Sequence, residues 1–104
     1  MAASIKVGRT LLDRTELEEL CRRYHVLKLS LFGSAAHGEM GPESDIDFLV
    51  EFQPDAEIDL VDFAGLMLDL SDLLGRKVDL VTKNALKPLI RESILQEAHL
   101  LYAA

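Results

Sequence analysis

Leu31-Phe32-Gly33-Ser34, a ten-residue interval from Ala35 to Ser44, and Asp45-Ile46-Asp47-Phe48-Leu49-Val50-Glu51-Phe52 form the stretch whose reading decides the fold. An apolar run closes on a Gly-Ser pair, and two carboxylates at i and i+2 open the next run. On a strand that spacing puts both acids on one face, where two like charges are costly to bury without a cation between them. Val26 to Phe32 reads as the first strand, with Leu27, Leu29 and Leu31 on one face. Asp45 to Phe52 reads as the second, with Ile46, Phe48, Val50 and Phe52 toward the core and Asp45, Asp47, Leu49 and Glu51 opposite. The interval is too short for a full crossover helix, so the two strands are expected to be antiparallel. Such a return brings Gly33-Ser34 beside Asp45. Ser34 to His37 is expected to form one helical turn, and Gly38, Gly41 and Pro42 a loop.

Upstream, Thr15 followed by Glu18 makes a capping-box pattern, and Leu17, Leu20, Cys21 and Tyr24 recur at helical spacing, which predicts a helix from about Glu16 to Tyr24. Downstream, Gln53-Pro54-Asp55 breaks the second strand. A helix is expected from about Asp59 to Leu74, stopped by Gly75, with Leu60, Phe63, Met67, Leu70 and Leu74 as its core stripe. Leu66, Leu68 and Leu73 widen its apolar surface, which points to deep burial or else to a partner-binding face. Lys77 to Thr82 reads as a third strand with Asp79 in an apolar centre. A last helix, led in by Asn84 or Lys87 with Pro88 in its first turn, would turn Leu89, Ile90, Ile94, Leu95 and Ala98 inward. His99 to Tyr102 reads as a short edge strand. The order α-β-α-β-α-β-α predicts an α/β (α+β) fold, a small mixed sheet of three to four strands covered by helices.

The 104 residues suffice for one core, and the chain is read as a single domain over 1–104. A net charge of −7 argues against a nucleic-acid-binding surface, which needs clustered Lys and Arg. It leaves room for a nucleotide, since metal ions bridge carboxylates to polyphosphates. The lone cysteine, Cys21, precludes an intramolecular disulfide and reads as a packing residue. The N-terminus lacks the apolar segment of a signal peptide, and Asp59, Asp62, Asp69 and Asp72 interrupt the most apolar region, so no membrane span is expected. These features suggest a cytoplasmic location.

Each part of the opening stretch has something to offer a nucleoside triphosphate. Gly33 lets backbone approach a phosphate, Ser34 supplies a hydroxyl donor, and amides of the following turn add more. Asp45 and Asp47 supply the hard oxygens that suit Mg²⁺. Asp79, arriving from another strand, could complete a second metal position and act as base on an attacking hydroxyl. Singly these elements mean little; their conjunction in this order points to phosphoryl chemistry. No G-x-x-x-x-G-K-[ST] or G-x-G-x-x-G motif is present.

Gly33-Ser34, ten residues, then Asp45-Ile46-Asp47, is similar to the G-S-x10-D-x-D signature of the polymerase-β-type nucleotidyltransferase superfamily. The small size and the Val78-Asp79-Leu80-Val81 run resemble its minimal nucleotidyltransferase branch over nearly the whole chain. That resemblance implies Mg²⁺-dependent transfer, with two ions, of AMP from ATP to a hydroxyl. Gly33, Ser34 and His37 would bind the nucleotide, and Asp45, Asp47 and Asp79 would be both catalytic and metal-binding. It also implies an antitoxin paired with a HEPN-type RNase toxin, whose tyrosine is adenylylated. His37 stands where many relatives carry an arginine, which replaces a permanent cation by a group that is mostly neutral at pH 7.

Three readings follow. The chain modifies a partner toxin, or it neutralises that partner by contact alone, or it is a small-molecule nucleotidyltransferase of the aminoglycoside-modifying kind. The carboxylate set favours activity, and the lack of a second domain disfavours the small-molecule enzyme. His25 and His99 lack ligand neighbours at metal spacing, and Lys83, Lys87 and Arg91 read as a solvated basic cluster.

Overall fold

The computed structural model describes residues 4–7, 10–33 and 45–104. The expected turn over Ser34 to His37 and the loop through Gly38, Gly41 and Pro42 lie outside them. Strands β1 (Ser4–Val7) and β2 (Thr10–Asp13) pair antiparallel as a separate two-stranded sheet. Helix α1 (Arg14–Arg23) leads to β3 (Val26–Phe32), which pairs antiparallel with β4 (Ile46–Phe52). Helix α2 (Leu60–Leu74) then crosses to β5 (Val78–Thr82), parallel to β4. A 3₁₀ turn (Lys83–Ala85), α3 (Pro88–Glu97) and β6 (His99–Ala103) complete the chain. The main sheet has the order β5-β4-β3-β6, with β6 antiparallel to β3.

The alternation read in the two central strands decides which face is buried. Leu29 and Leu31 of β3 lie opposite Val50 and Phe48 of β4, and Ile46 and Phe48 lie opposite Val78 and Leu80 of β5. All seven are buried, together with Leu17, Leu20 and Cys21 of α1 and Leu66, Leu70 and Leu74 of α2. Val7 and Leu12 of the hairpin join the same core. Burying each of these side chains stabilises the fold by about 1.5–3 kcal/mol before conformational entropy is counted.

Several expectations are corrected. The first helix begins at Arg14, not Glu16, because Asp13, in extended conformation, accepts a hydrogen bond from the Glu16 amide at 3.1 Å. An aspartate there satisfies an orphan donor and adds negative charge at the positive helix end, which Thr15 does not. The N-terminal hairpin of β1 and β2 was not foreseen. Helix α2 is capped as a capping box by Asp59 and Asp62 and ends at Gly75 in left-handed conformation (φ 65°). Its core stripe is Leu66, Leu70 and Leu74, whereas Leu60 is 80% exposed. Helix α3 buries none of its residues, and Leu89, expected to face inward, is 96% exposed.

Tyr24, just past α1, links the two core helices. Its hydroxyl donates to Asp69 Oδ2 at 2.6 Å, and Arg23 lies 3.8 Å from the same oxygen. Gly65 makes room for it: a Cβ there would come within 2.9 Å of the Tyr24 hydroxyl. No helix among the described residues is long and apolar enough to cross a membrane.

Candidate active site

Helices α1 and α2 cover one face of the sheet. The opposite face carries Lys28, Ser30 and Phe32 from β3, in register with Glu51, Leu49 and Asp47 of β4. Asp79 of β5 lies opposite Asp47 across the parallel pair. The fold-back thus sets three of the expected site residues, Gly33, Asp47 and Asp79, side by side at one end of the uncovered face. Asp45 lies just before β4, in the position that the same parallel register places next to Lys77.

The contacts around Asp47 are close. Gly33 ends β3 with φ +72°, and a Cβ on it would come within 2.6 Å of Asp47 Oδ2. This position therefore requires glycine twice, for its backbone conformation and for the approach of the carboxylate. Burial, followed by the charges of Asp79 and Asp45, pushes the Asp47 carboxyl above its ordinary value. Like charges that raise a carboxyl in this way mark a place where a cation would be stabilising.

Lys77 was not singled out from the sequence. Its ammonium lies 3.7 Å from Asp45 Oδ2, and its carbonyl accepts from the Ile46 amide at 3.0 Å. No local sequence signal marks it: its place follows from the parallel register, which sets the residue before Val78 beside the residue before Ile46. Ser34 and His37 lie outside the described residues. Among those described, no three His, Cys, Asp or Glu side chains form a ready-made metal cage. Mg²⁺ requires none, since it is held by one or two carboxylates completed by phosphate oxygens and water.

The remaining candidates are peripheral. Cys21 is fully buried, and burial pushes its thiol up to about 12, so it packs and does not react. Arg91 donates to the Leu86 carbonyl at 3.0 Å, and Lys87 is exposed at the start of α3. His25 adopts a left-handed backbone (φ 57°) between α1 and β3, and its carbonyl accepts from the Gln53 amide at 2.8 Å.

Residues 14–101 match the nucleotidyltransferase domain family. Protein adenylyltransferase MntA of Thermococcus cleftensis is 42% identical over 81 residues, covering 77% of this chain and 79% of its own length. A Methanocaldococcus jannaschii protein provisionally named protein adenylyltransferase is 48% identical over 79 residues, covering 75% and 79%. Among solved structures, a provisionally named minimal nucleotidyltransferase superposes with a TM-score of 0.71 at 41% identity, over 82% of this chain and 85% of that one. A toxin-antitoxin crystal structure with AMP-PNP shares the fold at a TM-score of 0.71 and 23% identity, over 89% and 75%. The chain belongs to the nucleotidyltransferase domain family, in its minimal branch, and is a nucleotidyltransferase.

Proposed function

We propose that the protein transfers AMP from ATP to a tyrosine hydroxyl of a HEPN-type RNase toxin, and so acts as an antitoxin. The observation that carries this reading is the register of β4 and β5, which sets Asp47 against Asp79 beside the Gly33 turn. The names of the relatives support adenylyl transfer to protein, and a tri-AMPylated Shewanella oneidensis HEPN toxin in complex with an MNT antitoxin of the same fold supports a HEPN partner.

Asp45 and Asp47 would hold Mg²⁺, with Asp79 as the third carboxylate of a two-ion site. The donor set fits, because all three offer hard oxygens and the Asp47 carboxyl is raised by burial and then by the charges of Asp79 and Asp45. When bound, Mg²⁺ supplies charge neutralisation and polarisation at phosphorus. Gly33, with Ser34 and His37 from the following segment, seats the phosphates. Asp79, exposed at the edge strand, takes the proton of the acceptor hydroxyl. The acceptor oxygen bonds to the α-phosphorus, the bond from that phosphorus to the bridging oxygen breaks, and pyrophosphate leaves.

The test is label transfer from α-labelled ATP, with Mg²⁺, to a co-purified HEPN-type partner. Transfer by the intact chain that is abolished in Asp45→Ala/Asp47→Ala is the expected result. Transfer that persists in the double variant would sink the mechanism. Tight partner binding without transfer would favour neutralisation by contact alone.

A further inference from the structure

Beyond the carboxylates, the uncovered face deepens into a chamber of about 220 Å³ between the sheet and the C-terminal end of α3. Its sheet side is formed by Lys28, Ser30, Leu49 and Glu51, and the remaining wall by Lys83, Leu95, Ala98 and Leu100. The registers confirm that this is the site face: Leu49 pairs with Ser30, Glu51 with Lys28, and Ser30 with Leu100. Leu49 follows Asp47 by two residues, about 6.6 Å along the strand. The chamber therefore lies on the same face of β4 as Asp47, two residues further along the strand.

We infer that this chamber seats the purine base of the nucleotide, and that Glu51 reads its 6-amino group. The inference rests on the adenylyl-transfer reading and adds to it the residues that select the base. Leu49, Leu95, Ala98 and Leu100 offer aliphatic surface to the two faces of a flat ring. Ser30, Glu51 and the two lysines offer both acceptors and donors to its edge, the mixed lining of a small-molecule site. A carboxylate accepts from the amino group of adenine and repels the carbonyl that hypoxanthine carries at the same position. An acceptor phenol suits the chamber less well. Its reacting hydroxyl must lie at Asp47 and Asp79, so the polar groups around Glu51 would be left without a partner.

The test measures binding of Mg-ATP, Mg-ITP and Mg-tripolyphosphate by calorimetry. Ala98→Phe places a ring in the chamber from a half-exposed wall; it is expected to weaken Mg-ATP about tenfold or more and to leave Mg-tripolyphosphate unchanged. Glu51→Gln changes no volume and is expected to cut the preference for ATP over ITP by about tenfold, the weight of a hydrogen bond to a charged group. The second variant decides the matter if the first does not fold. Unchanged Mg-ATP affinity in Ala98→Phe overturns the assignment, and loss of protein labelling alongside it makes the chamber an acceptor site. An unchanged ATP-to-ITP ratio in Glu51→Gln overturns the reading of the amino group while adenylyl transfer stands. An intact chain that neither binds Mg-ATP nor transfers label overturns the proposed function and this assignment with it.

Discussion

Gly33 and Asp47 meet closely at the candidate site, and a variant of each should separate activity from stability in its own way. Gly33→Ala adds a Cβ 2.6 Å from Asp47 Oδ2 on a backbone at φ +72°. The strain should cost about 1–3 kcal/mol of stability, and displacement of the carboxylate should lower transfer by roughly 10²-fold. Urea denaturation and a labelling assay on the same sample measure both. Asp47→Asn should behave in the opposite sense. It keeps the shape but removes one of the crowded charges, with Asp79 paired opposite and Asp45 two residues away. The sign follows from linkage: a carboxyl raised on folding favours the folded state below its unfolded value near 3.8, and that advantage is lost as pH rises through the folded value. At pH 7 the ionised Asp47 therefore lends no stability. The amide variant should melt no lower than the intact chain while its transfer falls to background, and a clear drop in Tm would contradict this account.

The elements divide by whether local sequence or tertiary packing decides them. The cap of α1 can be tested directly: Asp13→Ala should cost about 1 kcal/mol through loss of the bond to the Glu16 amide, and Thr15→Ala much less. Equal losses in thermal melts would return the cap to Thr15. The bounds of β3 and the core side of β4 were legible from alternating apolar residues bounded by Gly33 and by Gln53-Pro54, but a register shift between Val26 and Lys28 puts Val26, not the expected Leu27, in the core. The end of α2 was legible from Gly75. The inward face of α3 was not: Leu89, Ile90 and Leu95 have helical spacing, but periodicity does not say whether an opposing surface exists, and α3 closes only a partial wall on the site face. At the candidate site, the fold-back that sets Gly33 beside Asp47 was legible in the short interval between the strands, and Asp79 was named from its place in a further strand. Lys77 and the chamber around Leu49 and Glu51 were not, since both follow from the parallel register of β5 and the approach of α3, which are long-range facts.

At the scale of the whole molecule the fold is one-sided: α1 and α2 seal one face of the sheet, and the candidate carboxylates Asp47 and Asp79 lie on the other. Changes in the sealed half should therefore alter stability and leave the site's chemistry intact. Tyr24 and Cys21 supply a pH-dependent form of this test, because both titrate at α1, away from the carboxylates. Burial pushes the Cys21 thiol up to about 12, and the bond to Asp69 raises the Tyr24 phenol above its ordinary value near 10. A group raised on folding contributes stability that is complete below its unfolded value and is lost as pH rises through the folded one. For Cys21 that window runs from about 9 to about 12. Lysines deprotonate over the same range, so the intact chain alone would not isolate the thiol; the difference between two urea midpoint profiles does. Cys21→Ala should be less stable than the intact chain at pH 7, by about 1 kcal/mol for the smaller side chain. The gap should narrow steadily above pH 9, because only the intact chain gains an ionised unfolded thiol. A gap that stays constant from pH 7 to pH 11 would mean that Cys21 is more accessible than its packing against Leu17 and Leu20 indicates. Labelling with a thiol reagent gives the independent check, with modification expected only under conditions that unfold α1.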